Sequence, residues 1–552
     1  MKILKLSASL NYRLLFYVAV FLPVQLQAEQ GIMQPQTQSG HKSEVITELI
    51  QPASITHEQG AAYSARLKIQ RPADKDAKSR CELLENGKPL PFPHALHRRI
   101  REQGRGHYSH WTPGTLYFST SDSTDPRTNG RKYELVSTES YLQKTASFVL
   151  TESNSEITVP VDLDRESHPL KMIWQNLDSK TRITPAWKRK GAPDLSSQSA
   201  MLASILKPGM NAEEKSIAIW KFLVDWRYHY DPAEQGDELH DPVKFLNVYG
   251  YGFCDDCATN FMVLARKAGL QSRVWGLSGH VVAETFYDGQ WHMFDPDHQV
   301  FYRNRQGKIA GVEELAEQPQ IITQTPRDPL GSPSELIAKL YTSTADNRVN
   351  ERQPQIRDTS VLPVLEPLDY VEFRYSNPER VHQKNKSHSP EPPLAGEGIL
   401  KRTVRDLHDL KQTAGNQRQW QLSWPYVLLS GHIDLALNSS EIHPRISISN
   451  DQKSWRPLQG EIKKNRLRLS LNEWIRKQST AVYHCFIRLE SPHQTDPAAL
   501  IDQAKAELRF QFAPRALAHV QNDNNDFEMK LATEPAGPTK GLRVELIWKE
   551  TD

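Results

Sequence analysis

Polar and apolar residues alternate in short runs along the first third of the chain: Tyr63–Ile69, Thr115–Thr120, Lys132–Ser137, Ala146–Thr151 and Glu156–Leu163. A period of two over about 4–8 residues is the pattern of a half-buried strand. Turn signals at Glu85-Asn86-Gly87 and Thr128-Asn129-Gly130 separate several of these runs. Residues 43–165 are therefore expected to form a mostly β domain, preceded by a flexible polar stretch at Glu29–Lys42. From about Ser167 the period turns helical. Leu195–Leu206 runs into the stop signal Pro208-Gly209, and Asn211 with Glu214 is a capping-box variant. Ile217, Trp220, Leu223, Val224 and Trp226 then recur mostly every third or fourth residue, which predicts a helix ending near Tyr228–Tyr230.

The most informative stretch is Tyr249–Asp297. Gly252-Phe253-Cys254 leads into a helical set of Ala258, Phe261, Met262, Ala265 and Ala268, closed by Gly269 at the C′ position. Cys254 is thus expected at a helix N-terminus, where unpaired N–H groups and the helix dipole favour a thiolate and are placed to stabilise an oxyanion. Beyond it, two strand-like runs flank Asp288-Gly289, a strong two-residue hairpin signal. With that turn central, Tyr287 opposes Gln290, Phe286 opposes Trp291 and Val282 opposes Asp295. Asp295 then lies on the face of His280 as its diagonal neighbour, at a reach of roughly 7 Å between Cα atoms. Asp297 would sit directly opposite His280, but Pro296 withholds a ladder donor there. Asp295 is the better partner for the imidazole and Asp297 its rival; a bulge at the turn would slip the register and reverse that order.

Further on, Gln318–Pro333 is rich in Pro and Gln, Ser334–Leu340 is a short helical candidate, and Pro378–Gly398 has the composition of an exposed linker. Short strands return from about Ile399 to Asp552, as in Arg445–Asn450 and Arg466–Asn472, and predict a second β domain of sandwich type. The expected organisation is a signal at 1–28, an N-terminal mostly-β domain at 43–165, a mixed domain at 166–345, a linker or long loop at 346–398 and a C-terminal β-sandwich-like domain at 399–552. The fold class is α+β.

Composition narrows the function. Lys and Arg number 68 against 66 Asp and Glu, a net charge of +2, so bulk charge gives no support for nucleic-acid or membrane-surface binding. Lys2, Lys5 and Arg13 precede the apolar run Leu14–Leu22 and the sequence Leu26-Gln27-Ala28, the pattern of a cleaved secretory signal. The run is shorter than the ~20 residues a spanning helix needs, so the mature protein is expected to be exported, without a stable membrane span. Four cysteines, Cys81, Cys254, Cys257 and Cys485, are too few for a disulfide framework in a chain of this size. His107–Tyr133 is dense in aromatic, Asp, Asn and Arg residues. That composition suits sugar binding and equally suits a strand with polar loops. Ser449–Trp455 partly matches the Asp-box turn of sugar-associated β proteins.

The pattern Gly-x-Cys-x-x-x-Ala with a helix to Ala-Gly-Leu, followed by Gly-His-x-x-x-Glu and Trp-x-x-x-Asp-Pro, resembles the transglutaminase-like core over about Met210–Phe301. The resemblance implies a papain-like central domain with Cys254 as nucleophile, His280 as base and Asp295 as orienter. It also implies chemistry through a thioester, in amide hydrolysis or acyl transfer, on a peptide or protein amide. The family includes peptidases, amidases and crosslinking transferases. Val281-Val282 stand where the motif usually has an aromatic soon after the histidine, and Cys257 where such cores usually carry one.

Three other readings compete. Cys254-Asp255-Asp256-Cys257 is a C-x-x-C that would silence the thiol as a disulfide. A zinc site drawn from Cys254, Cys257, His280 and His292 fails because His292 alternates to the other face from His280, so neither metal nor cofactor is expected. The core and its β flanks would also serve as a glycan- or protein-binding module without turnover, a role that needs no base aligned to a thiol. The flanks suggest a glycan or peptidoglycan-like setting. His229, His240 and Glu284 are assigned no chemical role.

Overall fold

The computed structural model describes residues 35–68, 79, 81–112, 114–229, 238–350, 360–375, 396–438, 443–492, 495–522 and 525–551. The expected signal at 1–28 and residues 351–359 and 376–395 of the expected linker lie outside the described residues.

A twelve-stranded antiparallel sheet forms the frame. Along its middle, Ile501–Phe512 pairs with Gly396–Val404, followed in turn by Tyr370–Arg374, Glu166–Asn176, Leu542–Thr551 and Tyr133–Leu150. Segments that the sequence assigns to three domains and to the linker between the last two thus contribute to one sheet, Tyr370–Arg374 falling inside that expected linker. Pairings between strands hundreds of residues apart leave no local trace in the pattern.

Three local expectations are corrected. Lys132–Ser137 and Ala146–Thr151 belong to one continuous strand, Tyr133–Leu150. The polar stretch expected to be flexible enters the strand Gln36–Ile50, which pairs with Tyr133–Leu150 along its whole length while its side chains stay mostly exposed. Backbone hydrogen bonds hold that ribbon, so it shows no alternation to read. Glu166–Asn176 and Arg182–Arg189 are strands where a helical period was expected from Ser167. The first helix of the region is Gln198–Ile205.

The helix Ala212–Trp226 begins at the expected box: Asn211 accepts from the Glu214 N–H at 2.9 Å, and Glu214 accepts from the Asn211 N–H at 2.8 Å. The helix Cys254–Lys267 packs its buried Phe261, Met262 and Ala265 against a four-stranded antiparallel sheet. That sheet runs in the order Gln290–Phe294, His280–Tyr287, Gln271–Leu277, Arg348–Asn350. Phe261 stacks on Phe294 with ring centroids 5.2 Å apart. The same hydrophobic core contains Trp424, Phe510 and Phe512, so the helix and the large sheet share one interior.

Candidate active site

Cys254 is delivered by a constrained entry. Phe245–Tyr249 form a fully buried π-type turn. Asn247 ties it down by donating to the carbonyls of Leu195 and Val243, both at 2.8 Å. The exit of the strand Ile501–Phe512 braces it from the other side, with the Ala513 N–H on the Asn247 carbonyl at 2.7 Å and the Gln511 side chain on the Val248 carbonyl at 3.2 Å. Gly250 follows at φ +78°, and a Cβ there would lie 2.9 Å from that of Ala513. Glycine alone meets both demands. The cysteine helix then starts with Asp256 accepting the Phe253 N–H at 3.0 Å. Cys254 is half-buried and Cys257, one turn on, is wholly buried in the core. Both are free thiols.

The hairpin has the expected register, with Tyr287 opposite Gln290, Phe286 opposite Trp291 and Ala283 opposite Phe294. Asp288 and Gly289 take the positive φ values, 50° and 78°, that a tight turn of this kind needs. The ladder stops at Phe294, and Asp295 turns away into a bridge with Val300. His280 Nε2 lies 2.7 Å from Asp295 Oδ2, both side chains buried. The other carboxylate oxygen accepts the N–H groups of Asp297 and His298, each at 3.0 Å. Trp220 of the capped helix donates to the Asp295 carbonyl at 3.1 Å. With Nε2 engaged by the carboxylate, Nδ1 is the imidazole nitrogen left for a thiol. Cys254, His280 and Asp297 place one ligand-type atom each within 4.8 Å of one another.

The cysteine helix, the hairpin and Asp295 fall within the stretch 199–296, which matches the family model of the transglutaminase-like superfamily. The chain carries a transglutaminase-like domain. The match ends one residue before Asp297. No curated protein matches the chain. Among solved structures, a "putative protease" from Parabacteroides distasonis aligns over 90% of this chain and 96% of its own. Its 10% identity and TM-score of 0.14 are too low to carry a fold or an activity across.

Within the transglutaminase-like domain the charges are arranged around the imidazole. Burial alone would lower the His280 value, but the charge and hydrogen bond of Asp295 and the facing Cys254 thiol outweigh it, and His280 is held well above the ordinary histidine range. Burial alone would raise Asp295, but the charge and hydrogen bond of His280, with the charge and N–H of His298, overcome it and the value ends below the usual carboxylate range. A raised base favours folding below its unfolded value and loses that contribution as pH climbs through the folded one; a lowered acid does the converse. Their joint contribution is therefore complete between about pH 4 and 6.5. Cys257 is pushed well above the ordinary thiol range by burial, with the nearby Asp297, Asp256 and Asp295 adding to the rise. Asp256 is raised to about 6, chiefly by burial.

Several residues of the site escape sequence reasoning. Arg227 is buried, its guanidinium donating to the carbonyls of Gly252, Pro296 and Asp297 at 3.2, 2.7 and 2.9 Å and pairing with Asp297 Oδ1 at 3.2 Å. His229 adds a 2.9 Å contact from Nδ1 to the same oxygen, and its ring lies 5.0 Å from that of Phe253. His298 sets its ring 4.5 Å from that of His280 and its Nδ1 2.8 Å from Asp328 Oδ2. His240 faces the first-turn aspartates, 3.3 Å from Asp255 and 3.8 Å from Asp256. The only local signal for Arg227 is a charge set between Trp226 and Tyr228 at the end of an amphipathic helix.

Glu284 is structural. Its carboxylate takes Arg273 at 2.7 Å, the Trp275 indole at 2.5 Å and the Val312 N–H at 2.7 Å. His292 cannot ligate a metal with His280, since its two nitrogens meet the carbonyls of Ile309 and Tyr287 at 2.5 and 3.2 Å. The polar residues of His107–Tyr133 mostly satisfy one another: Arg131 pairs with Glu85 and Asp122, Arg127 with Asp125, and Asn129 donates to Tyr133. In Ser449–Trp455, Asp451 accepts the N–H groups of Lys453 and Ser454 at 2.8 and 2.7 Å, a closed local turn.

Proposed function

We propose that the chain is a cysteine-dependent amide hydrolase or acyl transferase in which Cys254 is the nucleophile, His280 the base and Asp295 the residue that orients the base. The observation that carries this is the buried His280–Asp295 contact at 2.7 Å, with Cys254 beside the same imidazole. A hydrogen bond from Nε2–H to Asp295 fixes the tautomer with its lone pair on Nδ1, toward the thiol.

His280 takes the Cys254 proton and the thiolate attacks the amide carbonyl carbon. The Cys254 N–H, in the first turn of its helix where no intrahelical acceptor exists, faces the developing oxyanion. The tetrahedral adduct collapses as the imidazolium returns its proton to the leaving amine, which leaves a thioester on Cys254. Water or a second amine, deprotonated by His280, then releases the acyl group. Asp295 keeps the imidazolium in place throughout. A free thiol at Cys257, fully buried and held in its protonated form, stays out of this chemistry.

The substrate class follows from the chemistry as a peptide or protein amide. Export is proposed on Lys2 to Ala28 alone, and a glycan or peptidoglycan setting on the β flanks alone. Peptide, glutamine-amide and peptidoglycan substrates offered to the purified mature chain test the reading, with Cys254→Ala alongside. Turnover that disappears in the variant supports it, and turnover that persists overturns it.

A further inference from the structure

The carboxylate nearest the thiol is not the one that orients the histidine. Asp295 lies behind the imidazole on Nε2, whereas Asp297 brings an oxygen within 4.8 Å of both the Cys254 sulfur and a His280 nitrogen. Asp297 is held there firmly. Oδ1 is held by Arg227 and His229. A thiol, an imidazole nitrogen and a carboxylate oxygen therefore converge on one point at the mouth of the site. This set differs from the zinc ligands weighed from the sequence: Asp297 takes the place of Cys257 and His292.

We infer that Cys254 Sγ, His280 Nδ1 and the Asp297 carboxylate form a site for a thiophilic divalent cation of the zinc class, which closes the nucleophile reversibly. Three features favour such an ion. Sulfur, imidazole and carboxylate are the donor types that zinc takes, with water as the fourth ligand. Zinc bonds of about 2.0–2.3 Å put tetrahedral ligand atoms roughly 3–4 Å apart, so atoms now within 4.8 Å of one another close in by about 1–2 Å. A metal-bound histidine also characteristically donates its other ring N–H to a carboxylate, and here that carboxylate is Asp295. The hydrogen bond that prepares His280 as a base thus prepares it equally as a ligand.

Binding displaces the thiol proton to solvent and sets the Cys254 thiolate and the Asp297 carboxylate, the latter shared with Arg227, against the cation. Nδ1 then has no lone pair to offer the thiol, and Sγ has none to offer a carbonyl. Metal occupancy and thioester formation exclude each other. That inhibitory consequence rests on the function proposed above, whereas the binding does not.

Titration of the chelator-stripped full chain with Zn²⁺ and Co²⁺ tests the site. The expected result is one ion per chain, a thiolate-to-cobalt charge-transfer band in the near ultraviolet, and protection of Cys254 from iodoacetamide that EDTA reverses. Cys254→Ser, or prior alkylation of the wild-type thiol, abolishes the band. Asp297→Asn weakens binding at least tenfold, and Asp295→Asn weakens it by about 10–100-fold through the imidazole. Prior alkylation acts on chain that is already folded, so a variant that fails to fold does not blunt the test. Cobalt binding without the band, or binding that survives alkylation of Cys254, overturns the inference. Failure of the functional reading is seen separately, as absence of amide turnover by the metal-free chain.

Discussion

Asp295 and Asp297 leave one loop on either side of Pro296, both buried, and their surroundings make them different groups. Asp295 faces a titratable partner, His280, and takes two backbone N–H donors on its other oxygen. Asp297 faces a permanent cation, Arg227, whose remaining donors hold the backbone of Gly252 and Pro296. The first corner is built to follow a proton on the imidazole. The second is a clamp that joins the loop to the entry of the cysteine helix and sets the carboxylate within 4.8 Å of the thiol. A two-residue step along the chain separates a carboxylate paired with a titratable imidazole from one clamped by a guanidinium.

Substitutions that treat the two corners alike test that separation. Asp295→Asn retains the shape but offers an amide to Nε2, which favours the wrong tautomer; kcat on any amide substrate is expected to fall by ~10³–10⁴-fold. Asp297→Asn lowers kcat far less, and equal losses in steady-state assays would erase the comparison. Arg227→Ala reverses the order. Removing the partner of a buried carboxylate costs about 3–5 kcal/mol, read as a lower denaturation midpoint.

Asp256 sharpens the contrast from the helix side, since it is buried beside His240 but does not belong to either corner. Its carboxyl, raised to about 6, favours the folded state while protonated, so its contribution is complete below about pH 4 and is lost as pH rises through 6. Asp256→Asn is therefore expected to match wild type at pH 4 and to exceed it at pH 8 by up to ~3 kcal/mol in chemical denaturation. The smallest effect belongs to His229→Ala. That side chain is 40% exposed, and its contact with Asp297 is worth less than ~1 kcal/mol in the same measurement.

What could be read beforehand follows the range of the interactions. The Asn211–Glu214 box, the Asp288-Gly289 turn and the hairpin register depend on neighbours within a few residues, and the sequence placed each of them. Cys254, His280 and Asp295 could be brought together because a helix start and a hairpin fix them locally. The preference for Asp295 over Asp297 rested on Asp295 pairing opposite Val282 with Pro296 ending the ladder; the ladder in fact ends at Phe294, and Asp295 meets His280 from the loop beyond it. Arg227 and His229 reach Asp297 across about 70 residues, and the brace from Gln511 and Ala513 crosses more than 260. Nothing in a local pattern announces those pairings. The twelve-stranded sheet stayed illegible for the same reason, and the ribbon of Gln36–Ile50 because both its faces are largely exposed.

The central claim is that His280 serves the Cys254 thiol. The most direct test is the rate of iodoacetamide alkylation at Cys254, followed by peptide mass from pH 4 to 9 in metal-free wild type and His280→Ala. The account predicts fast alkylation of wild type through neutral and mildly acid pH, and in the variant a profile displaced to alkaline pH with at least tenfold slower labelling at pH 6. Superimposable profiles would contradict it.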